Sequence, residues 1–166
     1  MSCGTLSAIQ KALCNRGTAK DVTRAWIARE EDVLAVPSAT DHVISGDITF
    51  NDEEHWYEIG IDKVGSSFSF DSAGEGLSKE FANTAIIFIN GVAAVVSKVV
   101  TQFIRGNYVL LIQDKNGVRH LLGAVGDGAE ISVSAKNDRN GYTLTALWNS
   151  TDLPYNYTGA VTIAED

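Results

Sequence analysis

Positive charge, cysteine and long apolar runs are all scarce in this sequence, and each shortage removes a class of function. Thirteen Lys and Arg stand against 21 Asp and Glu in 166 residues, a formal charge of −8. Tight binding of DNA or RNA rests on cations that displace counterions from phosphate, so an ordinary nucleic-acid binder is not expected. No apolar run reaches the roughly 18 residues that a membrane-spanning helix needs. The start at Met1 lacks the basic-then-apolar layout of a secretory signal, so the chain is expected to be made and kept in a cytosol. Cys3 and Cys14 are the only cysteines. With no histidine cluster beside them they suggest neither a zinc site nor a disulfide framework, and they are read as free thiols, with a bridge as the alternative. The length suits one domain with a real core, without a second independent one.

Strand-sized segments fill most of the chain. Residues 22–30 (VTRAWIARE) read as a first strand. Residues 42–50 (HVISGDITF) alternate Ile44, Ile48 and Phe50 against Ser45, Asp47 and Thr49, the pattern of a strand with one buried face. After the turn NDEE, residues 55–62 (HWYEIGID) continue it, with Tyr57, Ile59 and Ile61 opposing Trp56, Glu58 and Asp62; a hairpin is expected. Residues 64–78 (VGSSFSFDSAGEGLS) set Phe68 and Phe70 among small residues and three glycines. That composition predicts an exposed loop in need of a partner. Residues 79–90 read as a long strand.

One helix is expected. Val92, Val95, Val96, Val99, Val100 and Phe103 fall at helical spacing, with Ser97, Lys98, Thr101, Gln102 and Arg105 off the stripe. Asn90 is the candidate cap at its start and Gly106 the candidate left-handed residue at its end. Its valines lower intrinsic helix propensity, so the helix should depend on packing against a sheet.

Beyond it, residues 107–113 and 118–123 flank DKNG, and residues 129–135 and 142–148 flank KNDRNG. Both read as hairpins, because Asp, Asn and Gly tolerate positive φ or bond back to the backbone. Glu130, Ser132 and Ser134 should share one strand face, with Ile131 and Val133 on the other. Between the hairpins GAVGDG carries three glycines, but a phosphate loop should open a helix, and here a strand follows. A calcium loop at NDRNG lacks the further carboxylates and the distal Glu. The glycines turn a sheet. His42, His55 and His120 are widely spread, outside any metal spacing or nucleophile motif. No catalytic constellation emerges, and the chain is read as a non-enzyme without cofactor or metal.

The order of elements, with MSCG at the start, SSFSF before the long strand, the run VVTQFIRGNYVLLIQDKNGVRHLLG and ISVSAKNDRNGYTLTA near the end, resembles the tail tube proteins (major tail proteins) of tailed bacteriophages. The match covers residues 66–145; the region before Asp62 agrees only in general layout, and the last 18 residues depart from a plain ending.

The resemblance implies a mainly β (α+β) domain over residues 1–166, a β-sandwich or half-barrel with one packed helix and contact arms at residues 1–21 and 149–166. It implies a virion protein, made in a bacterial cytoplasm, that assembles into rings, expected to be hexameric, stacked into a tube. Other tail or neck proteins are the expected partners, and genomic DNA passes through without specific binding. Val64, Ser67, Phe68, Phe70, Gly74 and Gly76 would then form a subunit interface. Asp47, Glu58, Glu130, Ser132 and Ser134 would face the lumen, where acids repel phosphate. The bland alternative is that these acids solvate the outside of a monomer. Two further alternatives are a neck or completion ring of the same fold and a small β-barrel that binds a ligand between Trp26, Trp56 and Trp148.

Overall fold

In the computed structural model, which describes residues 22–51, 54–76, 79–91, 94–135 and 140–163, the apolar run NYVLLIQ lies at the centre of the fold. The strands are β1 (Arg24–Arg29), β2 (Val33–Ala35), β3 (Val43–Ile44), β4 (Thr49–Phe50), β5 (Tyr57–Ile59), β6 (Asp62–Ala73), β7 (Glu80–Asn90), β8 (Asn107–Gln113), β9 (Arg119–Leu122), β10 (Ala129–Ala135), β11 (Gly141–Ser150) and β12 (Asn156–Tyr157). A helix, α1 (Ala94–Phe103), joins β7 to β8. One 10-stranded sheet runs β3-β12-β9-β8-β10-β11-β7-β6, with β1 paired to β8 and carrying β5, while β2 and β4 form a separate pair. The architecture is mainly β, a curled half-barrel.

The strand β8 reads as a continuous apolar run because both of its faces are covered. Tyr108, Leu110 and Ile112 face a first core with Ala25 and Ile27 of β1, Ala85 and Ile87 of β7, and Leu144 and Ala146 of β11. Val109 and Leu111 face a second core with Trp26, Ala28, Ile44, Trp56 and Tyr157. The β1–β8 ladder, antiparallel from Arg24↔Gln113 to Arg29↔Tyr108, is thus a wall shared by two cores. Each large side chain fully buried here contributes on the order of 1.5–3 kcal/mol.

The sheet curls far enough for its last strand to meet the far side of the first core. Phe68 and Phe70 of β6 pack at 5.1 and 5.5 Å from the ring of His120 on β9. Val22, leading into β1, donates its N–H to the Ser66 carbonyl at 3.4 Å.

Several sequence expectations are corrected. Residues 64–76 are not an exposed loop: most of them belong to the 12-residue strand β6, in register with β7 from Ser67↔Ile86 to Ala73↔Glu80. The two-residue period of Ser67, Phe68, Ser69, Phe70 carries the strand signal, and it turns both rings inward. Residues 42–50 do not form one strand. Asp41 and His42 take positive φ, and β3 and β4 then join different sheets, β3 with β12 and β4 with β2. The expected hairpin with residues 55–62 is absent, since β5 pairs with β1, and Trp56 is buried while Tyr57 is exposed.

The helix keeps its stripe in part: Val100 is buried and Val96 and Phe103 pack on the first core, but Val99 stays 43% exposed; Val92 and the side chain of Val95 lie outside the described residues. Asn90 ends β7, its side-chain amide donating to Asp62 at 3.2 Å; the first-turn positions 92 and 93 that it was expected to cap lie outside the described residues. Gly106 is absent from the positive-φ glycines, and the helix end is held by Tyr108, whose hydroxyl donates to the Gln102 carbonyl at 3.0 Å.

The hairpins around DKNG and KNDRNG are present, although residues 136–139 lie outside the described part. The segment after β11, expected as a contact arm, is built into the body: Tyr157 is 1% exposed and β12 runs parallel to β3. Residues 1–21 lie outside the described residues, as do Cys3 and Cys14. Among the described residues no helix is long and apolar enough to cross a membrane.

Candidate assembly surface

A strand alternates its side chains, so the ladders that join β10, β11, β7 and β6 place every second residue on the face away from the first core. Glu130, Ser132 and Ser134 lie opposite Leu147, Thr145 and Thr143. Leu147 and Thr145 in turn lie opposite Thr84 and Ile86, and Thr84 and Ala82 opposite Ser69 and Asp71. The result is a four-stranded face rich in hydroxyl groups and bordered by the acids Glu130, Asp71 and Glu80. None of its described strand positions between Ser67 and Ala73, Glu80 and Phe88, Glu130 and Ser134, or Thr143 and Asn149 that point outward carries Lys or Arg.

Three of the expected lumen residues, Glu130, Ser132 and Ser134, are brought together on this face. The other two stand elsewhere. Asp47 lies between β3 and β4 and accepts the Ala160 N–H at 2.8 Å. Glu58, on β5, is gripped by Arg24 through two hydrogen bonds of 2.7 and 2.9 Å. That contact holds its carboxyl below the usual carboxylate range. Asp71, Glu80, Thr84, Thr143 and Thr145 were missed, because membership of a shared face depends on which strands pair and in what register. The alternation Ser67, Ser69, Asp71 was the signal available.

At the end of this sheet β6 presents its outer edge. Among the described residues no strand pairs with that edge along Ser67–Ala73. The residues expected at an interface divide here. Val64 is 73% exposed, Gly74 and Gly76 are exposed turn residues with positive φ, and Ser67 points to the hydroxyl-rich face. Phe68 and Phe70 are half-buried against the chain's own core.

The remaining polar groups serve the fold. Asp114 is 4% exposed, accepts the N–H groups of Asn116 and Val118 at 2.8 and 3.0 Å and pairs with His120 at 3.1 Å. It thereby pins the tight turn into β9. His42 contacts the Pro154 carbonyl at 3.0 Å. Among the described residues no group of three or more His, Cys, Asp and Glu could hold a metal ion. The three tryptophans do not share a pocket: Trp26 and Trp56 belong to the second core and Trp148 packs against the first.

No protein-family model, curated protein or solved structure matches the chain.

Proposed function

We propose that the chain is a structural virion subunit that self-assembles into rings stacked as a phage tail tube, a conduit for the genome. The observation that carries this reading is the outer edge of β6. A long strand with one edge unpaired is a template for a further strand, and proteins that remain monomeric blunt such edges. A second copy laid against Ser67–Ala73 would extend the sheet, and repetition around an axis would close it into a ring with no edge left. Val64, Gly74 and Gly76 at the ends of β6 would border that contact.

Ring closure would turn one sheet face toward the axis. The face of Glu130, Ser132 and Ser134 suits that position, since hydroxyls and acids hydrate the wall and give phosphate no cation to bind. Hexameric rings and other tail or neck proteins as partners follow from the sequence resemblance. Concentrating the purified chain and examining it by negative-stain microscopy and sedimentation velocity tests the reading. Rings or tubes with an open centre are expected. A monomer at every concentration would sink it, and discrete rings that never stack would point to a neck or completion ring.

A further inference from the structure

Between α1 and the β1–β5 pair lies a cleft of about 670 Å³, within the range of sites that enclose a small molecule. Its wall is apolar, with Ile27 of β1, Ile59 of β5, and Val96, Val100 and Phe103 of α1. Val99, also on its lining, stays 43% exposed. Apolar side chains left wet beside an open apolar cleft favour an occupant with an apolar body, because covering them releases water.

The charge on the lining selects the kind of occupant. Asp32 and Glu54 line the cleft together with Arg29 and Glu58. Arg29 is drawn to Glu31 at 3.5 Å and Glu58 to Arg24 at 2.7 Å, so the charge left over is negative. Among the described residues the Asp32 carboxylate accepts no hydrogen bond, and that of Glu54 accepts one, from the Tyr57 hydroxyl at 3.1 Å. Partial burial, with the charges of Glu54 and Glu31, raises the Asp32 carboxyl above its usual range. Two neighbouring carboxylates with acceptor capacity to spare are complementary to an ammonium group, which has three donors and no acceptor.

We propose that this cleft binds a small amphiphilic cation, a primary ammonium on an apolar body, with the body against Ile27, Ile59, Val96, Val100 and Phe103 and the ammonium at Asp32 and Glu54. An anionic amphiphile of the same length would meet like charge at the two carboxylates, and a neutral one would gain the apolar wall alone. The charged Asp32 destabilises the free subunit at neutral pH, and a bound cation offsets that cost. The site lies within one subunit, so its occupancy does not depend on whether subunits form rings.

Octylammonium, octanol and octanoate share one chain length and differ in charge, which makes them suitable probes. Each is titrated below its micellar concentration into the full-length protein at neutral pH and followed by methyl NMR. Octylammonium should bind about tenfold more tightly than octanol, and octanoate most weakly, with the largest shifts at the methyls of Val96, Val99 and Val100. Asp32→Asn with Glu54→Gln should bring octylammonium down to the affinity of octanol. Asp32→Asn alone should weaken octylammonium severalfold while raising the denaturation midpoint of the free subunit at neutral pH, so the loss of binding cannot come from unfolding. Equal affinities of the parent for octylammonium and octanol would overturn the proposal. So would a preference that survives in the double variant, shifts that avoid α1, or no binding of octylammonium at all.

Discussion

The ring of His120 on β9 lies 5.1 Å from that of Phe68 on β6, while its Nε2 lies 3.1 Å from Asp114 Oδ2. The last strand of the sheet order is thereby pinned, across the first core, to the turn that starts β9. Phe68 and Phe70 thus hold β6 in place within one subunit, and the edge that β6 offers outward is a preformed one.

Truncating these rings should destabilise the isolated subunit. A fully buried Phe→Ala change removes about 3–5 kcal/mol, and half-burial reduces this to about 2 kcal/mol for each of Phe68→Ala and Phe70→Ala. Urea unfolding measures it. Unchanged midpoints would show that the rings do not support β6.

Removing the carboxylate of Asp114 should be more harmful than its turn position suggests. Asp114→Ala leaves the N–H groups of Asn116 and Val118 without their acceptor and should destabilise by about 2–3 kcal/mol. Thermal unfolding should separate it clearly from Asn116→Ala in the same turn, which keeps the backbone N–H and should change stability by about 0.5 kcal/mol or less.

The two perturbed carboxyls predict opposite pH effects. Asp32 has a raised folded-state value, so its contribution is most favourable below the unfolded value and is lost as pH rises through the folded one. Asp32→Asn should therefore gain stability relative to the parent at neutral pH, and the gain should fade in acid. Glu58 has a lowered folded-state value, so its contribution is present above the unfolded value and is lost as pH falls through the folded one. Glu58→Gln should lose stability at neutral pH, by only a few tenths of a kcal/mol because the pair with Arg24 is solvent-screened, and match the parent in acid. Denaturant midpoints across this acidic range check both signs.

If the hydroxyl-rich face lines a channel, Asp71→Lys with Glu130→Lys should leave tail length normal and slow genome ejection, with added salt restoring the rate by screening the new attraction to phosphate. Asp47→Lys, off that face, should eject normally. Normal ejection by the double variant would remove these strands from the lumen.

Val64, 73% exposed at the start of β6, offers a complementary test of the edge. If subunits pair through β6, Val64→Lys should leave the subunit folded while preventing polymerisation, since a charge beside an edge opposes further pairing. Tubes of normal length from this variant would place the contact elsewhere.

Local signals in the sequence were read well where neighbours in the chain are also neighbours in space. The DKNG hairpin, the long strand β7 and the apolar stripe through Val96, Val100 and Phe103 belong to that group. Signals set by distant partners were read poorly. HVISGDITF alternates like a strand, but its halves belong to different sheets because the partners are β12 and β2. Trp56 looked outward by alternation, whereas the second core, completed by Tyr157 from far along the chain, encloses it. In the candidate site, Glu130, Ser132 and Ser134 were legible from one strand's alternation. Asp71, Thr84 and Thr145 join them only through the register of β6, β7 and β11.

The wall shared by the two cores also bears on when a newly made chain can fold. Trp26 and Ile27 of β1 leave the ribosome early, but their ladder partners Leu111 and Leu110 follow about 80 residues later, a delay of several seconds or more at typical synthesis rates. The second core waits longer still, for Tyr157. A nascent or truncated chain thus lacks both finished cores, and with them the curl that holds β6 in place. If subunits polymerise through β6, that edge would become available only after Tyr157 has been synthesised, and chains that stop short of it would stay out of the assembly.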